Sequence, residues 1–155
     1  MQRHKIPLNK EVLHARLSYI EESVASLGRF KDFSFERFHA NPDNFRIAFY
    51  DLHRALEAVM DIGSHILSRI PGARATTYKD IPRLLGKHKI IPLNFADNQL
   101  MKMAGYRNRM VHFYAEITEN ELYQIIQEDL GDFNIFCRYI NKLTKAPAKA
   151  GFVIE

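Results

Sequence analysis

Apolar residues recur along this chain at intervals of three and four, the repeat of a helix with one buried face. Leu13, Leu17, Ile20, Val24 and Leu27 step by four, three, four and three, which predicts a helix from about Lys10 to Leu27 with Gly28 as its stop. A loop rich in phenylalanine (Phe30, Phe33, Phe35, Phe38) follows, and Asn41-Pro42 then supplies an N-cap and a proline at the first helical position. Phe45, Phe49, Leu52, Leu56, Val59, Gly63, Ile66 and Ile70 keep the same stepping, predicting a helix about 40 Å long that Pro71-Gly72 ends. Thr77 can cap a shorter helix carrying Ile81, Leu84 and Leu85. A fourth helix begins near Asn94 and carries Phe95, Leu100, Met103 and Ala104 into the segment Arg107-Asn108-Arg109-Met110-Val111-His112-Phe113-Tyr114. A fifth opens on a capping box, Thr118 with Glu121, and runs through Leu122, Ile126, Phe133, Phe136, Ile140 and Leu143.

This pattern predicts an all-α, antiparallel bundle of about five helices with short connections. Residues 1–144 read as a single domain, with 145–155 as a C-terminal tail that is poorly ordered unless it docks. A chain of 155 residues is of single-domain size and buries roughly two-thirds of its unfolded surface. With 46% hydrophobic and 26% charged residues the composition is that of a globular protein, and no apolar run approaches the ~20 residues of a membrane span. Met1-Gln2-Arg3-His4-Lys5-Ile6-Pro7 lacks the apolar stretch of a signal peptide, so a cytoplasmic location is expected. Cys137, the single cysteine, sits in an apolar run and reads as a small buried hydrophobe. The net charge of +4 favours an anionic partner without defining one.

The segment at Arg107 carries the candidate chemistry. Arginine is a permanent forked clamp for phosphate, and histidine both takes and gives a proton near neutrality. RNA brings its own nucleophile, the 2′-hydroxyl. A metal-free cleavage therefore needs only proton transfer, assigned to His112, and stabilisation of charge on phosphorus, assigned to Arg107. Asn108 is placed to orient RNA or the histidine, and Arg109 to add positive potential. Residues five apart lie about 140° apart around an ideal helix, so Arg107 and His112 share no face of a continuous one. Either the helix ends or kinks between them, or the site is assembled from two copies across a two-fold axis. In extended backbone His112 and Tyr114 project to one side and Phe113 to the other.

The helix order, the segment Ala58-Val59-Met60-Asp61-Ile62-Gly63-Ser64-His65-Ile66-Leu67 and above all Arg107 to Tyr114 resemble the HepT-like ribonuclease toxins of the HEPN superfamily. The likeness covers nearly the whole chain up to about Leu143. Arg107 matches the family's arginine, Asn108 its polar position, His112 its histidine and Tyr114 the tyrosine two residues beyond. The resemblance implies a HEPN-like fold and a metal-independent endoribonuclease without a cofactor. It also implies a homodimer whose two motifs meet in one cleft, and a minimal nucleotidyltransferase antitoxin as partner. Tyr114 matches the residue that receives nucleotidyl groups from that antitoxin; a bulky anion there fills the cleft and repels RNA. The alternative is a non-catalytic nucleotide-binding or interaction module that partners a nucleotidyltransferase and does not cut.

His53, Glu57, Asp61 and His65, spaced by four, form a polar stripe along the long helix. It reads as an interhelical or solvated ion-pair face rather than a metal site, with Asp61 and His65 as the pair to watch for a buried hydrogen bond. Glu11/His14 and Glu36/His39 have the spacing of helical dimetal ligands, but the second pair falls in the loop before Asn41. Tyr106, Met110, Tyr123 and Tyr139 read as packing residues, and Lys87-His88-Lys89 as surface within reach of an RNA backbone.

Overall fold

The computed structural model describes residues 7–112 and 116–155. Helix α1 (Lys10–Gly28) begins at Asn9, whose side chain accepts from the Val12 amide, and it packs along α3 (Pro42–Ser68). Asn41 caps α3, accepting from the Asp43 amide, and Pro42 opens it. From Ala55 to Leu67 α3 is buried nearly all round and is the spine of the fold. Gly63 makes close packing on α4 (Asp80–Lys87) possible: a Cβ there would stand 2.4 Å from Ile81 Cγ2.

The phenylalanine-rich stretch is not all loop. Ser34 caps a short helix α2 (Phe35–Ala40); Phe30 packs edge-on against Phe33 and Phe38, and the Tyr123 ring lies tilted against Phe38. Burial of Phe38 stabilises a six-residue helix that its own propensity would not. Likewise α4 starts at Asp80 rather than Thr77. The Asp80 carboxylate accepts from the amides of Thr76 and Thr77 and from the Thr76 hydroxyl, while Thr77 Oγ1 accepts from the Asp80 amide. That reciprocal turn fixes residues 76–80.

The helix expected near Asn94 runs over residues 93–111 as α5 (Leu93–Phe95), a π turn (Ala96–Leu100) and α6 (Met101–Val111). One extra residue in the π turn rotates everything beyond it by about 100° and so resets the face on which Arg107 emerges. Thr118 Oγ1 accepts from the Glu121 amide at 3.2 Å, as the capping box requires. The expected fifth helix, however, is two: α7 (Glu119–Glu128) and α8 (Leu130–Lys145). α7 packs against α2 and α3 and α8 against α1, and the chain turns at Asp129 to reach both.

The tail docks. Val153–Ile154 (β2) pairs in parallel with Pro7–Leu8 (β1), Phe152 is buried, and Glu155 bonds both Leu8 and Lys10 through the backbone. Arg69 Nε donates to the Pro7 carbonyl and the Asn9 amide to His65 Nε2, tying this two-strand ladder to the C-terminal end of α3. Cys137 is buried, and burial pushes its thiol up to about 11.

Candidate active site

Arg107 leaves the last turns of α6 toward α3. Its Nε donates to Glu57 Oε1 at 2.7 Å, and its guanidinium carbon lies 3.4 Å from the centre of the Tyr78 ring. Only 16% of the side chain is exposed. Glu57 is itself braced by His53, whose Nε2 stands 3.3 Å from the same oxygen. Three separate segments thus fix one guanidinium: α3 by charge, the 76–80 turn by a ring face, α6 by its backbone. The Nε edge is taken, so the two Nη groups are the edge that remains for an anion in the forked geometry arginine favours.

α6 ends at Val111, four residues beyond Arg107. His112 is its C-cap, with extended backbone (φ −103°, ψ 110°), and its amide donates to the Arg109 carbonyl. The helix break that five-residue spacing demands is therefore present in the single chain, and it releases His112, which is exposed, from the helical face geometry. Positive side chains at this end also suit the helix dipole. Asn108 is half-buried on the turn between them. Tyr114 and Phe113 lie outside the described residues.

Arg109 goes elsewhere. Two residues from Arg107, it points to the other side of α6, where it forks onto Glu121 (Nη1–Oε2 2.5 Å, Nη2–Oε1 2.8 Å) and reaches the Glu116 carbonyl at 3.1 Å. The pair holds Glu121 below the usual carboxylate range and Arg109 above its own. The positive potential expected of Arg109 is balanced by that carboxylate, and its visible work is to latch α6 to the start of α7.

The polar stripe of α3 divides its labour. Its His53–Glu57 end braces Arg107, while Asp61 Oδ2 accepts from Arg16 Nε on α1 at 3.0 Å. Burial raises the Asp61 carboxyl against the pull of Arg16, and neighbouring Glu57 adds to the rise. His65 accepts from the Asn9 amide rather than bonding Asp61, and burial lowers its pKa. The ion-pair reading of the stripe therefore describes it, but the pair singled out in the sequence has separate partners. Among the described residues no cluster of three or more His, Cys, Asp and Glu forms a metal site, and His39 pairs with Glu119. Tyr78 carried no signal in the sequence, because its role exists only once α4 packs on α3. Glu57 was visible as a stripe member and not as the arginine's anchor.

The family model of the HepT-like ribonucleases matches residues 20–140. The chain belongs to that family. Over 130 residues, 84% of this chain and 88% of the relative, it is 28% identical to a tRNA nuclease HepT of Aphanizomenon flos-aquae. It is 34% identical to an mRNA nuclease HepT of Shewanella oneidensis over 86 residues, 56% of this chain and 64% of that one. In fold it is similar to the tri-AMPylated Shewanella oneidensis HEPN toxin solved in complex with its MNT antitoxin. The TM-score is 0.76 at 23% identity, covering 86% of this chain and 98% of the other. The HepT-like match runs from the middle of α1 into α8 and includes every residue that builds the Arg107 clamp. Among the described residues no helix is long and apolar enough to cross a membrane.

Proposed function

We propose that this HepT-like chain is a metal-independent endoribonuclease, the toxin of a toxin–antitoxin pair, acting in the cytoplasm and neutralised by a minimal nucleotidyltransferase. The observation that carries the reading is the Arg107 clamp: a guanidinium ordered by Glu57 and Tyr78, with a phosphate-binding edge left over and His112 one helix end away. In the reaction the RNA 2′-oxygen attacks phosphorus, the bond to the 5′-oxygen breaks, and the products are a 2′,3′-cyclic phosphate and a 5′-hydroxyl. Arg107 takes the charge that builds on the non-bridging oxygens. His112 transfers the proton, and in a homodimer one copy serves as base and the other as acid. Exposed apolar side chains beside the site support such a dimer: Tyr50, 65% exposed and one turn before His53 and Arg54 on α3, and Val111, one turn beyond Arg107. Asn108 is assigned to orienting RNA.

Control falls to Tyr114, the position matching the family's nucleotidylated tyrosine. An AMP group on its phenol adds an anion and bulk two residues beyond His112, and the Shewanella neighbour is itself tri-AMPylated. The deciding experiment incubates purified protein with a defined RNA in chelator. Wild type should release 2′,3′-cyclic ends and leave an all-deoxy strand intact, while Arg107→Ala and His112→Ala each lose about a hundredfold or more. Equal cleavage by all three proteins, or cleavage of the deoxy strand, overturns the reading. Binding without cutting by wild type would leave a nucleotide-binding module.

A further inference from the structure

A cavity of about 150 Å³ opens between α3 and the 73–79 segment, walled by Met60, Asp61, Ser64, Thr76, Thr77 and Tyr78. It adjoins the clamp, because Tyr78 serves both: its face carries the Arg107 guanidinium and the same residue walls the cavity. Asp61 lies one turn along α3 from Glu57, roughly 6 Å, so the cavity's carboxylate stands about one helical turn from the residue that anchors the phosphate clamp. A nucleotide's base and its phosphate are separated on that same scale.

The polar groups of the wall are not equivalent. The hydroxyls of Thr76 and Thr77 are engaged with Asp80 in the turn that opens α4. Asp61 is held by Arg16 through Oδ2 alone, which fixes the carboxylate and leaves Oδ1 as an acceptor. A carboxylate offers only acceptors and repels phosphate, so what it can hold beside a phosphate clamp is a donor on the same ligand. The exocyclic amino groups of cytosine and adenine are such donors; uracil and hypoxanthine present a carbonyl at the same place and offer a donor only at the adjoining ring N–H.

We propose that this cavity is the subsite for the base of the nucleotide that supplies the attacking 2′-hydroxyl, with Asp61 accepting from its amino group. The assignment rests on the ribonuclease reading above and adds a preference: cytidine over uridine, adenosine over inosine, by about tenfold. The Asp61→Asn variant makes the sharpest forecast. Its amide oxygen keeps Arg16 and its NH₂ turns to the base, so the preference should vanish or reverse toward uridine and inosine. Ser64→Val, on the exposed side of α3, should narrow the cavity and weaken every base alike.

The test uses deoxy oligonucleotides carrying one ribonucleotide, C, U, A or inosine, cut in chelator, with binding of 3′-CMP and 3′-UMP measured by titration calorimetry alongside. A tenfold preference that Asp61→Asn abolishes or inverts supports the subsite. Cleavage of all four within a factor of two, or a preference that survives in Asp61→Asn, overturns it while the ribonuclease reading stands. No cleavage by wild type, but tighter binding of 3′-CMP that Asp61→Asn abolishes, keeps the subsite and sinks the ribonuclease. Neither cleavage nor discrimination sinks both.

Discussion

Removing the Tyr78 ring should cost this enzyme its aim rather than its fold. The guanidinium of Arg107 lies 3.4 Å from the ring centre, and the side chain is only 16% exposed, so the contact is largely shielded from water. Cation–π contacts are worth about 0.5–1 kcal/mol at exposed sites and about 2 when desolvated, which places this one at about 1–2 kcal/mol. Without the ring, Glu57 still grips Nε, but the guanidinium plane can swing about that single bond. Tyr78→Ala should therefore lower kcat/KM on a defined RNA by about 5- to 30-fold. Tyr78→Phe keeps the ring face and should cleave within a factor of about two of wild type, since the phenol oxygen takes no part. Tyr78 is half-buried against the core, so the alanine variant should also lose about 1–2 kcal/mol of stability and still fold at 25 °C. Initial rates in chelator, with thermal melts of each variant, decide the matter. Tyr78→Ala cleaving at the wild-type rate, or Tyr78→Phe as impaired as Tyr78→Ala, would refute the platform role.

Arg109→Ala breaks the latch onto Glu121; because that pair is partly exposed, the loss should be about 1 kcal/mol, read as a Tm lower by about 2–4 °C, and the salt dependence of RNA binding should not change. A reduced salt slope would instead mark Arg109 as a phosphate contact. Burial lowers the His65 pKa below its ordinary 6.5, so just below that value the unfolded chain binds a proton that the folded one refuses. Stability should therefore fall as pH drops past about 6.5, and urea midpoints at pH 7.5 and 5.5 should differ more for wild type than for His65→Gln; equal differences would refute the linkage. Gly63→Ala puts a carbon 2.4 Å from Ile81 Cγ2 and should cost about 1–3 kcal/mol, recovered in part by Ile81→Ala in the same chain; a melt unchanged from wild type would show that α4 gives way without cost.

What could be read from the sequence divides along lines of range. The faces of α1 and α3, the Asn41-Pro42 start and the Thr118 cap depend on residues within a turn or two of one another, and local spacing reports them faithfully. The break at Asp129 and the short α2 are set by what α7, α8 and Phe38 pack against, and no window of a dozen residues holds that information. Docking of β2 joins residues nearly the length of the chain apart. At the candidate site Arg107, Asn108 and His112 stood out because they are close in sequence. Its supports, Glu57 and Tyr78, come from 50 and 29 positions away, and the π turn that aims Arg107 leaves no periodic trace.

The ion pairs around the site also bear on how RNA is selected. Four arginines of the helices that build the site are each paired with a carboxylate: Arg107 with Glu57, Arg16 with Asp61, Arg109 with Glu121, and Arg54 with Glu22. One share of the chain's positive charge, Lys87, Lys89, Lys142 and Lys149, rims a groove at the opposite end of the 93–111 helix. A clamp whose charge is cancelled at rest attracts polyanions weakly from a distance, since the field of a tight pair falls off far faster than that of a lone cation. It discriminates at contact, where the ordered Nη edge offers paired donors to phosphate oxygens and Glu57 need not be displaced. If the proposed roles hold, selection by this site is a matter of fit more than of capture by net charge: a phosphate placed on a fixed fork, with a base seated one helical turn away.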